Sequence, residues 1–132
     1  MIGLLVIAHG SVGKSMVTCA EQVLGDKIPS LVCLGVKHRD GMGKMLQEAK
    51  DAIAMLDEGD GVLVLSDVFG ATPCNIAAKL AQVGKVEVVS GLSVPMLFRV
   101  INYRHLPLPQ LVDKALAGGK EGVVRVAGHA AT

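Results

Sequence analysis

The chain has 132 residues, 51% of them hydrophobic and 19% charged, with a formal net charge of +1. That length builds one domain around one core, and a near-neutral surface without a basic stripe argues against nucleic acid as a partner. The apolar run over residues 1–8 is too short to cross a bilayer and lacks the basic start and cleavage site of a signal peptide, so a cytoplasmic protein without membrane insertion is expected. Only Phe69, Phe98 and Tyr103 are aromatic, which leaves the core to Val, Leu, Ile, Ala and Met. Three cysteines (Cys19, Cys33, Cys74) and four histidines (His9, His38, His105, His129) show no ligand spacing. No disulfide framework, metal site or cofactor is expected from them.

In chain order, residues 2–8 are near-continuously apolar and predict a buried strand. Residues 15–24 have helical spacing and stop at Gly25. A second strand is expected over 30–34. The next helix, over 44–56, places Met45, Ala49, Ala52, Ile53 and Leu56 on one face. Residues 61–65 form a third buried strand. A helix over 73–83 follows, with Thr72 as N-cap, Pro73 in the first turn and Gly84 beyond its end. A fourth strand over 86–90 precedes helices over 94–103 and 108–117. Residues 122–126 read as a short last strand, and 127–132 as a loose tail.

Strands apolar on both faces, alternating with helices, imply a parallel sheet covered on both sides. With right-handed crossovers, the arrangement expected is an α/β doubly wound open sheet. It is mainly parallel in order 2-1-3-4, with helices on both faces and a short C-terminal edge strand. One domain over 1–126 accounts for the chain, because no linker or repeat interrupts it.

Such sheets hold their sites beyond the strands' carboxyl ends, where the strand order reverses. Here that point lies between strand 1, ending Ala8-His9-Gly10-Ser11, and strand 3, ending Ser66-Asp67-Val68-Phe69-Gly70. If Asp67 accepts a hydrogen bond from one ring nitrogen of His9, it fixes the tautomer and leaves the other nitrogen as a nucleophile. Thr72 and the first turn after it, preceded by Gly70 and Ala71, would offer N–H groups and a hydroxyl to an anion. Gly10 and Gly70 leave room for a donor protein's backbone.

Residues 8–15 also come close to the P-loop pattern GxxxxGK[ST], with Lys14 as its lysine. Residues 63–67 resemble the strand and Asp that hold magnesium in such enzymes. Against nucleotide binding, Ala8 stands where the first glycine belongs, there is no base-reading segment, and residues 69–75 go unexplained.

The strand ending His9-Gly10, the run Leu65-Ser66-Asp67-Val68-Phe69-Gly70-Ala71-Thr72-Pro73-Cys74-Asn75 and the run Gly91-Leu92-Ser93-Val94-Pro95-Met96-Leu97 together resemble the IIA domain of the mannose family of the sugar phosphotransferase system. The resemblance covers residues 1 to about 126. It implies a phosphoryl carrier phosphorylated on His9 by the small carrier HPr, with Asp67 orienting the ring and the Thr72 hydroxyl contacting the phosphoryl group. It also implies a homodimer in which the C-terminal strand pairs with the other subunit's sheet. The next acceptor is then a separate IIB component, or the phosphorylation state is read by a regulatory protein. The chain ends soon after its last expected strand, as a free-standing IIA would, and its DVFGATPCN run resembles free-standing IIA proteins without sugar permeases. The phosphotransfer subunit of a dihydroxyacetone kinase is the related alternative, although the FGATPCN run fits it less well.

Four other groups of residues are singled out. Lys37-His38-Arg39 follows strand 2, beside strand 1, where it would steer phosphate or a partner. Cys74 is read as a small buried residue. Arg99 and Arg104 are expected as surface or dimer contacts. His38, His105 and His129 have no carboxylate motif beside them.

Overall fold

A computed structural model describes residues 1–37 and 39–128. His38 and His129, and with them most of the expected tail, lie outside the described residues. The elements run β1 (Gly3–His9), α1 (Val12–Leu24), β2 (Leu31–Val36), α2 (Met42–Leu56), β3 (Val62–Ser66), α3 (Thr72–Ala78), β4 (Val86–Ser90), α4 (Val94–Asn102) and α5 (Leu108–Glu121). The four strands form one parallel sheet in order β2-β1-β3-β4.

The alternation of side chains along each strand divides the core in two. Leu4, Val6, Leu63 and Leu65 pack against α1, α4 and α5. Leu5, Ile7, Val62 and Val64 face α2 and α3 on the other side. β1 and β3 are therefore buried on both faces, which is why neither carries a polar residue before its carboxyl end. Each such buried Leu, Ile or Val contributes roughly 1.5–3 kcal/mol, and this anchors the strand tips where the polar residues begin.

Three expectations are corrected. The helix after Thr72 ends at Ala78 rather than at 83. The chain tightens there, with Leu80 N–H donating to Ala77 O and Gln82 exchanging backbone bonds with Val86 in a short antiparallel bridge. That bridge turns the chain into β4 and takes the backbone groups that a longer helix would have used. Residues 122–126 form no strand. Val123, Val124 and Val126 stay exposed, because a short segment gains stability as a strand only when a neighbouring ladder takes up its backbone groups. The third correction concerns Arg104, which is buried rather than on the surface.

Arg104 closes the end of the sheet remote from the candidate site. Its Nε donates to Ile2 O at 2.8 Å, its Nη2 to Ser30 O at 2.7 Å and its Nη1 to Pro29 O. Ser30 has φ +47°, the one positive value outside glycine among the described residues, and its carbonyl also accepts from Leu4 N–H. One guanidinium thus ties the turn after α4 to the start of β1 and to the approach to β2. Burial pushes the Arg104 pKa down, yet its planar fork of donors still matches three carbonyls that no neutral residue could satisfy. Arg99, by contrast, pairs at the surface with Glu121 at 2.8 Å.

Replacing Arg104 with Ala removes the guanidinium donors from these carbonyls, of which Ser30 O keeps only Leu4 N–H, and is expected to cost about 2–4 kcal/mol in urea denaturation. Arg104→Lys should recover less than half of that loss, since a single ammonium cannot span the three acceptors.

Candidate active site

Parallel pairing sets Ile7 opposite Ser66 and His9 opposite Val36. The tips of β1 and β3 therefore end side by side, and His9 and Asp67 meet although they are 58 residues apart in sequence. His9 Nδ1 lies 2.7 Å from Asp67 Oδ2. The same oxygen accepts the His9 amide at 3.0 Å, and Oδ1 accepts the Val68 amide at 3.0 Å. An ionised carboxylate only accepts, so in the neutral ring the proton sits on Nδ1 and the lone pair on Nε2. The Asp67 side chain is 9% exposed and that of His9 is 45% exposed. The orienting group is sheltered while the ring it orients stays open.

Burial alone would raise the Asp67 pKa. The hydrogen bonds from the His9 amide and ring, together with the electrostatic attraction of His9, outweigh it, and the carboxyl titrates below the ordinary aspartate range.

His9 opens into a cleft of about 470 Å³ between the tip of β1, the β2–α2 connection and the start of α3. Thr72 and Ile76 line one side, and Val36, Lys37, Asp40 and Met42 the other. Thr72 is thus brought to His9, but in a different local role from the one expected. Ala71, extended at φ −85° and ψ 169°, occupies the cap position, and no side chain caps the helix. The bond from Asn75 N–H to Ala71 O makes Ala71 the cap. The exposed Thr72 hydroxyl is therefore not engaged in capping.

The expected phosphate donors divide. The Gly10 N–H is taken by Val36 O at 2.9 Å, and that of Ala71 faces Val68 O at 3.3 Å. Gly70, at φ +82°, turns the chain from Asp67 toward α3, and its carbonyl accepts from Asn75 Nδ2. Neither Gly70 nor Ala71 lines the His9 cleft. Gly35 keeps the β1–β2 contact tight at this level, since a Cβ there would stand 2.2 Å from Gly10 O. Beside Asp67, Val68 and Phe69 are exposed and leave an apolar rim, Phe69 at 87%.

The P-loop reading fails on local geometry. β1 ends at His9 and α1 begins at Val12, so Gly10 and Ser11 alone connect them, too short a loop to wrap phosphates. Gly13 is buried in α1, where a Cβ would lie 2.6 Å from Val6 Cγ1. That glycine lets the helix approach the strand. Cys74 is buried. Among the described residues no cluster of His, Cys, Asp or Glu is arranged to hold a metal, and no helix is long and apolar enough to cross a membrane.

Asp40 and Met42 were not foreseen as wall residues. The available signal was the position of residues 37–42, directly after the strand next to β1. Asp40 Oδ2 accepts the Lys37 amide and the Asp40 amide donates to Lys37 O, a reciprocal pair of bonds that ties the two residues together.

Known proteins place this geometry in context. The profile described as PTS system fructose IIA component, EIIA-man, matches residues 3–115. The PTS system fructose-specific EIIA component of Bacillus subtilis (strain 168) is 26% identical over 89% of this chain and 81% of its own length. The PTS system mannose-specific EIIAB component of Escherichia coli (strain K12) is 28% identical over 92% of this chain, which spans 38% of that relative's length. A crystal structure of the phosphotransferase system component EIIA from Streptococcus agalactiae superimposes with a TM-score of 0.84. It is 25% identical, over 95% of this chain and 97% of the other.

The lowered Asp67 pKa has a definite sign. An unfolded aspartate ionises at about 3.9. The stability that Asp67 contributes is therefore complete above that value and is lost as pH falls through the lower folded value. A carbon-detected NMR titration should place the Asp67 midpoint below the ordinary aspartate range. In His9→Ala the midpoint should move upward.

Proposed function

We propose, from the premise that this chain belongs to the EIIA-man family of PTS IIA components, that His9 is its phosphoryl acceptor and donor. The observation that carries this reading is the 2.7 Å contact between His9 Nδ1 and Asp67, which leaves Nε2 directed away from its orienting carboxylate.

In the proposed step the Nε2 lone pair attacks the phosphorus of the incoming group. A phosphorus–nitrogen bond forms at Nε2. The bond from phosphorus to the donor breaks, and its electron pair stays with the donor. Nδ1 keeps its proton, so the ring becomes cationic, and the Asp67 carboxylate stabilises that charge where it develops. The Thr72 hydroxyl donates to a phosphoryl oxygen, which its freedom from capping and its place in the His9 cleft favour. Gly10 and Gly70 admit a partner's backbone close to the ring.

The donor is HPr in the cytoplasm. The next acceptor is a IIB component, by analogy with the relative named EIIAB, in which an A and a B part are joined. Residues 1–126 act as the single IIA unit. The unpaired valines of 123–126 favour a homodimer in which this segment adds to the sheet of a second copy.

Incubation with phosphoenolpyruvate, enzyme I and HPr should place an acid-labile, base-stable phosphoryl group on His9. His9→Ala should take up none, and equal labelling of that variant would refute the assignment. Asp67→Asn, with its fold intact by circular dichroism, should slow transfer by roughly 10²–10³, the scale of a lost electrostatic stabiliser. Sedimentation should show a dimer for the full chain and a monomer after deletion of residues 123–132.

A further inference from the structure

The cleft at His9 is not electrically symmetric. Lys37 follows Val36, the residue paired in register with His9 across the β1–β2 ladder. It lines the His9 cleft together with Thr72. It also lines a second pocket, of about 340 Å³, on the other side of Gly10, whose wall includes Ser11 and Lys14. The short connection that carries His9 out of β1 is thus flanked by two ammonium groups. The ion pairs among the described residues are Met1–Asp60, His9–Asp67 and Arg99–Glu121, and neither lysine takes part in one.

The backbone of Lys37 is held in place. Its amide donates to Asp40 Oδ2 at 3.2 Å, and its carbonyl accepts the Asp40 amide at 3.0 Å. Gly10 N–H fixes Val36 O immediately before it. Asp40 is the carboxylate facing the same cleft, and its nearer oxygen is engaged with the Lys37 amide. Asp67 is engaged with His9 and Val68. Lys37 is then the one cationic side chain among the described residues that line this cleft.

We infer that Lys37 pairs with the phosphoryl group on His9, and that Lys14 reinforces the same field across Gly10. The inference rests on the proposed phosphorylation of His9 and adds to it the residue that sets how strongly the phosphoryl group is held. A phosphoryl group brings roughly two negative charges into a cleft that the Asp40 carboxylate already lines, with the Asp67 carboxylate close behind the His9 ring. Without a cation on the open side, that accumulation favours return of the group to its donor. An ammonium on a flexible stem acts there as a point charge. It holds the phosphoryl oxygens without touching Nε2, so it changes the equilibrium of transfer and leaves the nucleophile's orientation alone.

The test is the equilibrium of phosphoryl exchange between HPr and wild-type, Lys37→Gln, Lys37→Arg and Lys14→Gln proteins, measured at low and high salt. Lys37→Gln should shift the equilibrium toward HPr by about tenfold, the scale of one charge-assisted hydrogen bond. Its salt dependence should be weaker than that of the wild type. Lys37→Arg should restore both, and Lys14→Gln should give a smaller shift of the same sign. The His9–Asp67 pair, followed by the Asp67 carboxyl signal in unphosphorylated protein, should be the same in all four, which separates a charge effect from a disturbed fold. A labelled wild type with Lys37→Gln indistinguishable from it in equilibrium and salt response overturns this inference alone. A wild type that accepts no phosphoryl group on His9 overturns the proposed function, and this inference with it.

Discussion

The site depends on one hydrogen bond between the tips of two adjacent parallel strands. His9 Nδ1 and Asp67 Oδ2 stand 2.7 Å apart, and every chemical property argued for the ring follows from that contact: its tautomer, the direction of its free lone pair, and the stabilisation of charge during attack. Neither residue reaches the other through local structure. The contact exists because β1 and β3 are neighbours in the sheet, in a register that sets Ser66 opposite Ile7 and so brings Asp67 alongside the end of β1. Each strand is clamped between two apolar layers. A slip of one residue would turn each strand's side chains into the opposite layer and mispack both layers, so core packing holds the two tips, and with them the polar contact, in register.

Around that contact the backbone is committed in a way that leaves particular groups free. Gly10 gives its N–H to β2 and Ala71 turns its N–H back toward Val68, so both serve the framework. The Thr72 hydroxyl, released from capping by the extended Ala71, stays free at the cleft. Asp67 is saturated by donors and sheltered, whereas His9 is half open. A rigid, satisfied partner behind an accessible ring suits the phosphoryl carrier proposed for His9, because the orienting contact is in place before transfer. The opposite end of the sheet is closed in another manner, by Arg104 spanning three carbonyls, so a long-range polar clamp stands at each end of β1.

Much of this was legible from the residues. Apolar runs marked every strand of the sheet, and the helix-strand alternation with right-handed crossovers led to the order 2-1-3-4. The rule for switch points then placed His9 beside Asp67. Reading failed where local preference competed with tertiary partners. The helical pattern beyond Ala78 lost to the bridge between Gln82 and Val86. Thr72 looked like a cap by type and place, but the bond from Asn75 to Ala71 put the boundary one residue earlier. Arg104 looked like a surface charge, because three backbone carbonyls from distant segments leave no mark in a sequence. The valines of 122–126 have strand preference, yet they join none of the described strands.

The amino-acid sequence by itself determined the element types, the parallel doubly wound sheet and the identity of the two residues at its switch point, because these follow from apolar periodicity and chain connectivity. Only the tertiary structure decided which nitrogen of His9 faces Asp67, which backbone donors are already engaged, and that Lys37 and Asp40 wall the cleft. Those are matters of distance between segments remote in the chain, and distance is set by how the layers pack and not by the preference of any residue alone.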